Sequence, residues 1–139
     1  MFKVYGVTSE TAKAAAEKQF SRLPVKERLA LTPAEAEALI SEYATAQFEK
    51  MKPVVIGKAL STPEFAQELI ELTKKTTESK FLQIRINAPQ INNAGGFVIN
   101  NRTFKPAMSW QRWDSSVDYA ALFERMEAAR EEAIKENAA

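Results

Sequence analysis

The run Lys80-Phe81-Leu82-Gln83-Ile84-Arg85-Ile86-Asn87 decides the fold class, because its aliphatic residues recur at every second position. Such alternation sends Leu82, Ile84 and Ile86 to one face of a β-strand and Phe81, Gln83, Arg85 and Asn87 to the other. Ala88–Gly96 follows with Pro89, Asn92, Asn93 and the pair Gly95-Gly96, residues that accept turns and positive φ. Phe97–Phe104 resumes strand chemistry, so the two runs are expected to pair as a long-looped hairpin.

Working outward, helices flank this region. Phe2–Val7 alternates and reads as a short strand, after which Thr8 offers an N-cap and Ala12, Ala16, Phe20 and Leu23 recur at helical spacing. Pro24 forces that helix to end. Thr32-Pro33-Ala34-Glu35 places a cap, a first-turn proline and a capping-box glutamate in order, and starts a helix that Pro53 ends. Val54–Ile56 reads equally as a short strand or as a connector. Ser61-Thr62-Pro63-Glu64 starts a third helix that runs to about Thr76. Asp114, Ser115 and Ser116 supply capping oxygens for a last helix with Tyr119, Leu122 and Met126 on its core face. The expected fold is one α+β domain over residues 1–139, with about four helices packed mainly on one face of a small mixed or antiparallel sheet. The end of the last helix, about 130–139, is mostly Ala, Glu, Arg and Lys and is expected to protrude.

Composition narrows the function. The chain has 139 residues, 45% apolar and 27% charged, with neither Cys nor His. A chain of this size and composition is expected to bury a sizeable core without a disulfide or metal staple. Without Cys or His there is no Ser-His or Cys-His nucleophile pair and no ordinary zinc site. The opening Met1–Val7 carries one cation and a short apolar run, so no secretory signal is expected. No window approaches a membrane span, and a cytoplasmic location is the expectation.

The remaining catalytic routes are poorly furnished. Gly6, Gly57, Gly95 and Gly96 cannot build a phosphate-cradling loop, since none sits in a spaced set beside a helix start. Asp114 and Asp118 are spaced to share a helix face, but acids at a helix start also serve its loose amides. Glu78-Ser79-Lys80 has an acid-x-lysine spacing known from nucleases, without an upstream Asp partner. No enzyme activity, metal or other cofactor is expected.

Charge distribution says more than the net of +1. From Lys80 to Trp113 the cations are Lys80, Arg85, Arg102, Lys105 and Arg112, and the stretch contains no acid. The final helix, by contrast, is acid-rich. The cationic stretch also carries Phe81, Phe97, Phe104, Trp110 and Trp113, interleaved with Asn and Gln. Cations that track phosphates, rings that stack on bases and amides that read base edges define one reading, a nucleic-acid contact through Lys80, Arg85, Asn87, Arg102 and Lys105.

The leading expectation is a protein contact or self-assembly through Asn92, Asn93, Trp110, Arg112 and Trp113, because Trp and Arg anchor interfaces and an uncharged loop tip can seat on a partner. Size and character suit a non-catalytic accessory protein of a bacterium or phage, either a particle component or a small effector of a host protein. In the viral case the location would be the host cytoplasm or the assembled particle.

Overall fold

The structure, a computed structural model, describes residues 1–138, and three threonines start helices in its first half. The Thr8 hydroxyl accepts from the Thr11 amide at 3.0 Å, and Thr11 Oγ1 accepts from the Thr8 amide at 2.9 Å. Thr32 and Glu35 form the same reciprocal box at 3.2 Å in both directions. Thr62 Oγ1 accepts from the Phe65 amide at 3.2 Å. Each cap satisfies donors that a helix start leaves loose.

The element order is β1 (Phe2–Thr8), α1 (Ser9–Ser21), α2 (Val25–Leu29), α3 (Pro33–Lys50), β2 (Val54–Leu60), α4 (Pro63–Thr76), β3 (Ser79–Pro89), β4 (Met108–Arg112) and α5 (Tyr119–Ala138). The strands form an antiparallel sheet in the order β2-β1-β3-β4, so the fold is α+β as the sequence indicates. The ambiguous Val54 segment is a strand, at one sheet edge, with Val54 and Val55 exposed. Helix α2 was not anticipated. Pro24, with φ of −54°, leads directly into this five-residue helix.

Two compact units divide the chain within β3, one comprising Lys3–Ile84 and the other Met1–Phe2 with the residues from Arg85 onward. In the Lys3–Ile84 unit, the small face of α1 (Ala12 and Ala16) is buried and α1 packs on α3, with Gln47 Nε2 donating to Gln19 Oε1 at 3.1 Å. Val4, Val7, Ala66, Ile70 and Ile84 complete its core. Gly6 permits close approach of two strands: a Cβ there would lie 2.5 Å from Leu82 Cδ2.

In the other unit, Ile86, Ala88 and Pro89 of β3 are buried. The strand pairing differs from the sequence expectation. β3 pairs with Met108–Arg112, whereas Phe97–Phe104 belongs to an excursion between the two strands. Local turn chemistry outcompetes the strand pattern: Asn100 Oδ1 accepts from the Arg102 amide at 2.9 Å, and Phe104 takes a φ of +56°. The last helix also begins later than Asp114–Ser116 suggests. Asp118 is the residue whose Oδ1 serves its first turn, accepting from the Ala121 amide at 3.1 Å.

Candidate functional site

Strand alternation gathers four of the sequence-selected residues. With Ile84, Ile86 and Ala88 buried on one face of β3, Arg85 and Asn87 emerge on the other. The antiparallel register sets Arg112 opposite Arg85 and Trp110 opposite Asn87. Two guanidinium groups, a carboxamide and an indole therefore share one face of the β3–β4 hairpin. Gln111 lies on the reverse face, where its Nε2 donates to the Pro89 carbonyl and to Ser109 Oγ, both at 3.0 Å. Arg112 is exposed, while Arg85, Asn87 and Trp110 are half-buried.

Beyond the hairpin, Gln90–Ala107 forms an arm closed by a ring of three backbone hydrogen bonds. The Gln90 amide donates to the Ala107 carbonyl at 2.8 Å, the Ala107 amide to the Val98 carbonyl at 2.6 Å, and the Val98 amide to the Gln90 carbonyl at 3.0 Å. Two asparagine-led turns complete it. Asn92 Oδ1 accepts from the amides of Ala94 at 3.0 Å and Gly96 at 2.9 Å, and Gly95 occupies φ of +83°. Asn100 heads the second turn, its amide donating to the Lys105 carbonyl at 2.9 Å.

Helix α5 supports both turns. Arg125 Nη2 donates to the Gly95 carbonyl at 3.4 Å, and its guanidinium lies 5.3 Å from the Phe97 ring centroid. Further along α5, Ala133, Glu136 and Asn137 share a cleft of about 390 Å³ with Ile99, Asn101 and Phe104.

The remaining sequence-selected residues separate by role. Asn92 holds its turn together, whereas Asn93 is exposed at the tip. Arg102 and Lys105 are exposed around the second turn. Lys80 belongs to the Lys3–Ile84 unit and is engaged there. Its Nζ donates to the Glu49 carbonyl in the last turn of α3 at 3.4 Å and lies 4.7 Å from the Phe48 ring and 5.3 Å from the Phe81 ring. An ammonium there complements the negative end of the helix. With Ser9, Phe48 and Glu78 it lines a cleft of about 410 Å³.

Trp113 is half-buried and lines a shallow cleft with Arg112, Asp114 and Ser115. Asp114 organises that turn, its Oδ1 accepting from the Ser116 amide at 2.9 Å and from Ser116 Oγ at 2.7 Å. The backbone bond, then the side-chain bond, holds the Asp114 carboxyl below its ordinary pKa. Both aspartates thus act as local oxygens for backbone amides. Among the described residues, no group of three or more acids is placed to hold a metal ion, and no helix is long and apolar enough to cross a membrane.

The chain matches no protein family, curated protein or solved structure with which it was compared. Its chemistry must be read from its own residues.

Sequence reasoning missed Arg125, Asn100 and the exposed apolar side chains of the arm. Asn100-Asn101, a doublet of turn formers inside an otherwise strand-like run, was the available signal for the second turn. No local pattern marks Arg125, which owes its role to the return of α5 alongside the arm.

Proposed function

We propose that the chain is a non-catalytic binding or assembly protein that docks on a protein partner through the Gln90–Ala107 arm. The observation that carries this reading is the arm's internal order combined with its exposed apolar side chains. Ile91 is 48% exposed, Val98 41% and the adjoining Met108 42%. Loops longer than ~12–15 residues without regular structure are uncommon unless they serve a function or are disordered. This one is closed by backbone bonds and supported by two asparagines. An ordered loop meets a partner with less conformational entropy to lose, which favours binding. Asn93 at the tip and Trp110, Arg112 and Trp113 beside the base extend the same surface with polar and aromatic anchors. A component of a bacterial or phage particle, or a small cytoplasmic effector of a host protein, is the setting that suits this reading.

Light scattering and affinity capture test it together. The wild-type chain is expected either to self-associate or to retain a defined partner, and the pair I91S/V98S to lose that association while keeping its melting temperature. A strict monomer that captures the same proteins with and without those two substitutions would overturn the reading.

A further inference from the structure

We infer that α2 is a tip through which the protein docks on an anionic lipid surface, with Val25 and Leu29 entering the headgroup boundary and the cations beside them at the level of the lipid phosphates. Exposure is the first observation. Leu29 is 79% exposed, more than any other large hydrophobic residue among the described residues, and Val25 is 58% exposed. No residue of α2 is buried, so this helix forms a corner of the Lys3–Ile84 unit. The corner is nonetheless ordered. The Arg28 amide donates to the Pro24 carbonyl at 3.1 Å, the Ala30 amide to the Lys26 carbonyl at 3.2 Å, and Arg28 Nε to the Leu23 carbonyl at 3.1 Å. The two aliphatic side chains are therefore held in water by folded backbone, and their burial against another surface would be favourable.

Charge is the second observation. Four residues apart, Val25 and Leu29 share one face of α2. The positions of Lys26 and Arg28 flank that face on its two sides, and Glu27 falls on the opposite one. Glu27 is the only acid from Lys18 to Leu31, a stretch with the four cations Lys18, Arg22, Lys26 and Arg28. Lys18 and Arg22 are both exposed at the end of α1 that leads into this corner. An apolar pair bordered by cations matches the interface of an anionic bilayer, where aliphatic groups settle at the acyl boundary and ammonium and guanidinium heads stay among phosphates. Shape favours lipid over a protein groove, since a fluid headgroup layer opens around a protruding pair without prior complementarity. The contact lies on the membrane and asks for no spanning segment, and with two aliphatic side chains it is weak and reversible.

Co-sedimentation of the full chain with vesicles tests the inference. Binding is expected to equimolar phosphatidylcholine and phosphatidylglycerol at low salt, to weaken as salt is added, and to be far weaker with phosphatidylcholine alone. V25S/L29S is expected to lose about tenfold or more in affinity. Both positions are exposed, so its melting temperature should match the parent's. Should the pair melt early, L29S alone carries the test. K26Q is expected to lose about fivefold. I91S/V98S should bind vesicles like the parent, so the arm's protein contact and this lipid contact fail separately.

Insertion is read directly with a dye. The chain has no cysteine, so Leu29→Cys accepts a single environment-sensitive fluorophore. Its emission is expected to shift to the blue on the equimolar vesicles, whereas the same dye at Glu27→Cys, on the opposite face, should stay at its aqueous position. Absence of binding at low salt, unchanged affinity in V25S/L29S, or a dye at position 29 that remains in water on the bound protein would overturn the inference. Poly-glutamate bound as tightly as the equimolar vesicles would also overturn it, and would assign the corner to an acidic protein segment.

Discussion

Arg85 stands directly opposite Arg112 across β3 and β4, so the hairpin is built with two positive charges at facing positions. Replacing one with an acid should stabilise the free protein. Arg112→Glu is expected to gain about 0.5 kcal/mol, the middle of the range for cross-strand charge pairs. Arg112 is exposed, so the gain should shrink as salt is added. Thermal melts of the two proteins at low and high salt check this. A loss of stability at low salt would contradict it.

Asn92 sustains the first turn of the arm through one oxygen that accepts two amides. Asn92→Ala is expected to cost about 1 kcal/mol or less globally, because the site is exposed and water can replace the lost acceptor. The larger effect should be local. Hydrogen exchange at Ala94 and Gly96 should accelerate at least about tenfold, while the β3 amides keep their protection. Asn92→Asp retains the acceptor and should restore slow exchange.

Asp114 gives the protein a small acid sensitivity. Its carboxyl is held below the ordinary 3.8 by the Ser116 bonds, so the folded state favours the ionised form. That contribution is fully present above the unfolded pKa and is lost as pH falls through the lower folded value. Trp113 emission, reporting on the adjacent turn, should change in that acid range. Asp114→Asn should remove this component of the pH profile without altering the plateau near neutrality.

Arg130 carries a buried Nε that has no hydrogen-bond partner among the described residues. An unsatisfied buried donor costs ~1–3 kcal/mol, whereas the aliphatic stem contributes useful packing. Arg130→Met keeps most of that packing and removes the donor. It is expected to be neutral or to gain up to about 1 kcal/mol, measured as the shift in denaturant midpoint at constant slope. A clear loss would mean that the rest of the guanidinium makes a favourable contact within the folded chain that outweighs the unsatisfied Nε.

What was legible in the sequence followed from local rules. Thr8, Thr32 and Thr62 mark helix starts because a hydroxyl at that position satisfies nearby amides, whatever the rest of the chain does. The alternation of Leu82, Ile84 and Ile86 reports the inward face, on which Ile84 and Ile86 are buried, whereas Ala88 and Pro89, read as the start of the loop, continue the strand and are buried too. The partner of β3 was not legible, since Phe97–Phe104 has strand chemistry of its own, yet the Asn100 turn interrupts that run and β3 pairs with Met108–Arg112. The candidate site was half legible. Composition pointed to the Lys80–Trp113 stretch, but its cations disperse. Lys80 serves the end of α3, whereas Arg85 and Arg112 meet across the hairpin. Sequence distance hides that meeting.

The three-amide ring at Gln90, Val98 and Ala107 is made of backbone alone. It demands no particular side chain at those positions and excludes only proline, which has no amide hydrogen to give. The side chains between Ile91 and Pro106 can therefore diverge while the base of the arm stays the same, provided that position 98 keeps its place in the ring and its amide hydrogen. Lineages could change what the arm recognises without relearning how to fold the strands, and an engineer could graft a foreign recognition loop at the same two stems.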